Sequence, residues 1–198
     1  MAPLWSSDDR GWRDAEFVAL DFETTSGDPR RAEPLSVGWV VVAGGRVRLA
    51  DAAYHVIDHA GDVPVASLQI HRLTPADLAD GRDLDDVAMH LRAALDGRIV
   101  VAHGGWIERA LLRRLGAGRP TVVDTLAVVR RLDARAGRET TAGTLAAVAR
   151  RHRVPVLRAH HACGDALTTA LLLLVLAGDL ERRRGHCSVD DLVRLGRH

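Results

Sequence analysis

Apolar positions change their period once along this chain, near residue 74. Before it they come as strand-length runs. Phe17-Val18-Ala19-Leu20 forms the centre of a strand expected over Glu16 to Glu23, Leu35 to Val42 forms a second, and roughly Arg46 to Ile57 a third, with Gly44-Gly45 as the hairpin turn between the last two. From Thr74 the spacing turns helical: Thr74-Pro75-Ala76-Asp77 is a helix start with proline in the first turn, and Asp83 to Leu95 carries apolar residues at helical intervals. Arg98 to Ala102 is short, β-branched and apolar, as a buried parallel strand should be, and Trp106 to Leu115 after it reads as a helix. Thr121 to Asp124 repeats that strand-to-helix form. Ala142 to His152, Ala162 to about Arg183 and Ser188 to Leu195 supply further helices. Hairpins first and βα units afterwards predict an α/β domain with a mixed sheet.

At 198 residues and 21.4 kDa the chain suits one globular unit, divided here into an N-terminal extension (1–15), a main domain (16–185) and a short C-terminal segment (186–198). Met1 to Arg13, with Ser6-Ser7-Asp8-Asp9, is polar and is expected to fray or pack loosely. Cys163 and Cys187 are too few for a disulfide framework or a paired zinc site. All 27 basic residues are arginine and the net charge is only +1, so attraction to a polyanion would have to be local. Candidate clusters are Arg113, Arg114 and Arg119, and Arg150, Arg151 and Arg153, although exposed arginine runs are commonly no more than solvated surface. The longest apolar run, Ala166 to Gly178, is a helix candidate, and no charge-free run reaches membrane-spanning length, so no membrane association is expected. Met1 to Arg10 lacks an export leader pattern, which makes the cytoplasm the expected compartment.

Charge enters the picture where the first strand ends. Asp21 and Glu23 stand at i and i+2, so they share a face of the strand while Phe22 turns into the core. Two like charges held that close repel, and a divalent cation is the usual reason to tolerate them; the plainer alternative is an acidic turn. Two more acidic stations occur at structurally comparable places: Glu108, just inside the helix after a central strand, and Asp165, five residues beyond His160 at the start of the longest helix. Ligands of open α/β sheets collect beyond the strand ends. Four carboxylates around one cleft can hold two divalent ions about 3.5–4 Å apart, which suits phosphoryl displacement. Oxygen-only ligands favour Mg2+ or Mn2+ over zinc. His160 is placed to take a proton from an attacking water, though alone it and Asp165 read more simply as helix-start residues. Trp106 offers a base-stacking ring but is expected to pack in the core, His103 offers a structural hydrogen bond, and Asp124 either support for the site or a helix cap. His152, His160, His161 and Cys163 match no paired zinc motif.

Together these segments resemble the DEDDh group of 3′-to-5′ exonucleases, the family of the proofreading subunit of bacterial replicative DNA polymerase. The resemblance runs from about Phe17 to Leu176. It rests on the Asp-x-Glu-Thr-Thr of Asp21 to Thr25, on Val101-Ala102-His103 with an acidic residue five positions past the histidine, and on His160-x4-Asp165. Ile70-His71-Arg72-Leu73-Thr74 looks like the family's His-Gly-Ile-Thr stretch, and Val123-Asp124-Thr125-Leu126 like its Asp-Thr strand end. The chain departs from the pattern at Glu108, usually aspartate, at Gly104, where asparagine is common, and at Ser26, a frequent glycine.

The resemblance implies an RNase H-like fold with three antiparallel and two parallel strands. It implies that Asp21, Glu23 and Asp165 ligate metal, that Glu108 completes the shell of a second ion, that His160 is the general base, and that Thr24 and Thr25 lie beside the terminal nucleotide. Two Mg2+ or Mn2+ ions would serve hydrolysis of 3′ ends of single-stranded DNA to nucleoside 5′-monophosphates, in proofreading or repair. An RNA 3′-end-trimming enzyme and a non-hydrolytic nucleic-acid-binding or polymerase-associated module are the alternatives. A DNA polymerase is a possible partner, although no long tethering tail is visible; the oligomeric state is not indicated.

Overall fold

Apolar residues at every position from Phe17 to Leu20 commit the first strand, β1 (Phe17–Thr24), to burial on both faces. In the computed structural model, which describes residues 8–139 and 143–197, β1 is the central strand of a five-stranded sheet in the order β3-β2-β1-β4-β5. Strands β2 (Pro34–Ala43) and β3 (Arg46–Val56) are antiparallel to their neighbours, while β4 (Ile99–Ala102) and β5 (Val122–Asp124) continue the sheet in parallel. The expected turn at Gly44-Gly45 is there, and both glycines take the left-handed backbone (φ 60° and 70°) that a tight hairpin requires. Asp21 pairs with Gly38 and Glu23 with Ser36. Beside β4, only Phe17, Ala19 and the residue between them are paired, so β1 runs on alone toward Thr24 on that side.

The period-2 alternation divides the core. Phe17 and Ala19 face one apolar cluster, and Val18, Leu20 and Phe22 the other. Eight α-helices are assigned among the described residues: α1 (Val65–His71), α2 (Pro75–Ala79), α3 (Leu84–Leu95), α4 (Trp106–Arg114), α5 (Thr125–Arg135), α6 (Leu145–Arg151), α7 (Ala162–Arg184) and α8 (Val189–Gly196). Side chains close their exposed N–H groups: Thr74 and Asp77 form a capping box on α2, Asp83 caps α3, and Ser188 and Asp191 box α8. Helices α3 and α4 supply Leu91, Leu95, Leu111 and Leu112 to the Phe22 side of the sheet, and α5 to α8 cover the other. Helix α7 is long and apolar enough to cross a membrane by composition, but it lies across β1 and β2 inside the fold.

Three differences from the sequence reading stand out. Helix α1 was not expected; none of its residues is buried and no side chain caps it. The helix expected from Ala142 starts at Leu145 under a Thr144 cap, and Ala142 itself lies outside the described residues. The N-terminal segment does not pack loosely where it is described. Trp12 is only 2% exposed within the α7 and α8 core, its backbone N–H donates to the Cys187 carbonyl at 3.0 Å, and Gly11 bridges Ser188. One large ring repays ordering of an otherwise polar segment. The expectation for Met1 to Ser7 lies outside the described residues.

Candidate active site

The carboxylates meet because a helix can come down onto the sheet at one place. A Cβ on Gly38 would lie 2.2 Å from the Cys163 nitrogen and 2.4 Å from its Cα, so only glycine lets the start of α7 rest on β2 there. Gly38 is the partner of Asp21, and α7 therefore delivers Asp165 beside β1. Asp21, Glu23 and Asp165 each offer a carboxylate oxygen within 4.8 Å of the others, the only such group of His, Cys, Asp or Glu among the described residues. Phe22 turns away into the opposite core.

Glu108 approaches from the first turn of α4 and is 6% exposed. Burial pushes its carboxyl up to about 8, helped by the charges of Asp124 and Glu23 and opposed by hydrogen bonding from its own backbone and that of Phe22. Asp21 is held well above the usual carboxylate range, first by burial and then by Glu108, Glu23 and Asp165. Burial likewise takes Asp165 to about 6, although the His160 N–H donates to its Oδ2 at 2.9 Å. These groups crowd one another, and Glu23 Oε1 is buried without a hydrogen-bond partner. A set of oxygen donors, mutually repelling and with one orphaned buried oxygen, fits a divalent cation and leaves a site without one strained.

Around the cluster, Asp124 both caps α5 and holds the turn leading to Glu108. Its carboxylate accepts from Leu126 at 2.8 Å, from Gly104 at 2.9 Å and from Gly105 at 2.9 Å. His103 is a structural hydrogen-bonding residue, its ring meeting Thr125 Oγ1 and the Gly143 carbonyl, each at 2.9 Å. His160 is exposed on a left-handed turn (φ 60°), near enough for its charge to act on Asp165. The Thr24 hydroxyl donates to the Ser26 carbonyl at 2.9 Å, and Thr25 Oγ1 accepts from the Glu33 N–H at 3.1 Å, so both close the turn after β1. Trp106 is 52% exposed, which corrects the core-packing reading of this residue.

Sequence reasoning assigned His71 no role, yet it lies against the cluster. Its Nδ1 contacts the Glu23 carboxylate, and its Nε2 lies 3.2 Å from the Thr24 carbonyl. The signal available was its place in the Ile70 to Thr74 stretch. Elsewhere, His161 accepts from the Gly164 N–H at 3.4 Å and stacks on Tyr54, while Arg151 is engaged with buried Asp133 and Arg114 donates to the Ala32 carbonyl at 2.6 Å.

The exonuclease family RNase_T matches residues 18–173. A DNA polymerase III of PolC type from Thermotoga maritima is 30% identical over 177 residues, which cover 85% of this chain and 12% of the polymerase. Another from Mycoplasma pneumoniae is 34% identical over 93 residues, 47% of this chain and 6% of that one. The chain thus spans a small part of these relatives. Among solved structures, exonuclease X in complex with 5′-overhanging duplex DNA has a TM-score of 0.71 at 20% identity, covering 91% of this chain and 99% of that chain. Exonuclease I of E. coli in complex with a dT13 oligonucleotide has a TM-score of 0.70 at 15% identity, covering 85% and 42%. The shared architecture is the RNase H-like fold.

Proposed function

This chain belongs to the exonuclease family RNase_T, and from that premise we propose that it is a metal-dependent 3′-to-5′ exonuclease of single-stranded DNA. It would release nucleoside 5′-monophosphates in proofreading or repair. The observation that carries this reading is the convergence of Asp21, Glu23 and Asp165 within 4.8 Å, inside the matched region and beside buried Glu108.

Asp21, Glu23 and Asp165 would hold a divalent cation, Mg2+ or Mn2+, and Glu108 would serve a second. Such ions supply neutralisation of the phosphodiester charge and a lower pKa for water. His160, unburied and adjacent to Asp165, takes the proton of the attacking water. Trp106 presents its exposed ring to a base, and the turn closed by Thr24 and Thr25 borders the terminal nucleotide. Glutamate at 108 reaches about 1 Å further than aspartate. The contact of Glu108 with the Phe22 backbone is consistent with that longer arm being accommodated. Kinship to PolC-type polymerases makes a DNA polymerase the protein partner to test, in the cytoplasm.

The test is hydrolysis of DNA and RNA oligonucleotides with blocked or free 3′ ends, in Mg2+, Mn2+ or chelator. Metal-dependent release of mononucleotides from free 3′ DNA ends is expected, with Asp21→Ala slower by about 10²–10³-fold. Release from RNA alone would move the assignment to an exoribonuclease. A folded, metal-binding protein that cleaves neither polymer would be a binding module.

A further inference from the structure

The row across the sheet that begins with Asp21 continues through Gly38 to Tyr54. The start of α7 lies over Gly38, with the carboxylate cluster toward β1 and a cleft of about 430 Å³ toward β3. The cleft is lined by Tyr54, His71, Arg72, Arg158, His161 and Cys163 among others, and His71 joins it to the cluster through Glu23. The Tyr54 and His161 rings are stacked, with centroids 4.3 Å apart and planes at 25°. Asp77 also borders the cleft, but its carboxylate is occupied by the Thr74 N–H and hydroxyl, each at 2.7 Å.

Arg72 and Arg158 are exposed, and among the described residues neither is in an ion pair. Both have left-handed backbones, with φ of 56° and 44°. Arg72 is the C-cap of α1, a place where glycine is the unstrained choice, and it stands where the resembling stretch has glycine. An arginine kept at a strained position beside a cleft is the kind of outlier that points to use of its side chain.

We propose that this cleft is a nucleotide subsite distinct from the carboxylate cluster. Arg72 and Arg158 bind a phosphate, and the Tyr54–His161 pair packs against the attached base. The volume suits a ligand of that size, and stacking plus guanidinium contact is the chemistry by which single strands are held without sequence preference. The identity of the ligand, one unit of the strand being degraded, rests on the exonuclease reading; binding itself does not require turnover.

The experiment is fluorescence anisotropy of a labelled short oligothymidylate with the whole chain in chelator, over a salt series. Arg72→Gly and Arg158→Ala are each expected to weaken binding by about fivefold or more and to lower the log–log salt slope by about 0.7. Tyr54→Leu should weaken binding and leave the slope unchanged. Arg72→Gly removes strain, so its melting temperature should hold or rise, which separates lost contact from lost fold. Native affinity and slope in both arginine variants would overturn the subsite, as would a native protein that does not bind the probe. Cleavage assayed in parallel keeps the two readings apart. A native protein that binds with these arginine effects but releases no mononucleotide refutes the exonuclease and retains the subsite. One that cleaves, with variants binding like native, refutes the subsite alone.

Discussion

His71 engages both of its ring nitrogens at the site, and that limits what it can do there. Nε2 faces the Thr24 carbonyl and Nδ1 the Glu23 carboxylate, both of them acceptors, and a neutral ring has one N–H with which to meet only one of the two. Such a contact would fix the rotation of the proposed metal-ligating carboxylate without touching the metal. His71→Ala should therefore weaken Mn2+ binding by about 10–100-fold, read by titration calorimetry with no substrate present. Unchanged affinity would make the histidine a packing residue only. This contact was not legible in the sequence, because it joins positions 47 and 48 residues apart through an unexpected helix. Asp21 and Glu23 were legible as neighbours because a strand of period 2 places them on one face whatever the rest of the chain does. Trp106 went the other way: an aromatic between glycines and a helix reads as core, but a helix's first turn can leave it outside.

At the level of elements, the site depends on how closely α7 approaches β2. Gly38→Ala places a methyl group against the backbone of Cys163, which cannot swing aside as a side chain could. The expected cost is about 1–3 kcal/mol of stability, and displacement of Asp165 by even about 1 Å should lower activity by about 10²-fold. Gly178→Ala, further along the same helix with nothing within 4 Å of the added methyl, is the control. It should gain roughly 0.5–1 kcal/mol with activity retained; melting curves and initial rates decide both. If Gly38→Ala behaves like the control, the close approach does not position Asp165. The strands were readable to within one residue at each end because their apolar runs are bounded by turn residues and acids. Helix α1 was not, since it buries none of its own residues and so writes no helical period into the sequence. The tie between Trp12 and the start of α8 was hidden for a related reason: one aromatic in a polar segment has no periodicity.

For the whole molecule, the crowded acids should make folding and the proposed metal binding depend on pH in opposite senses. Asp165 and Glu108 hold their protons up to about 6 and about 8 in the folded protein, against 3.8 and 4.5 when unperturbed, and Asp21 is shifted the same way. Between those values the folded protein binds more protons than the unfolded chain, so its stability falls as pH rises. The chelated protein should accordingly melt lower at about pH 8.5 than at about pH 5, and Mn2+ should raise the melting temperature more at the higher pH. A flat profile, with equal metal increments, would mean that the carboxylates do not share one buried site. The hairpin-then-βα order was enough to read the sheet's composition, whereas the gap at its centre depends on where β4 stops. Beyond Ala19, β1 has no partner on that side, and α4 brings Glu108 into the notch. The place of Glu108 is therefore set by the length of a strand that carries none of the acids. Lengthening β4 by about two residues, which preserves its facing, would carry the strand into the notch and push α4 and Glu108 out of it, with every acid still present in the sequence. Such a chain would keep its acidic signature and lose the constellation, so the motif need not mean an assembled site.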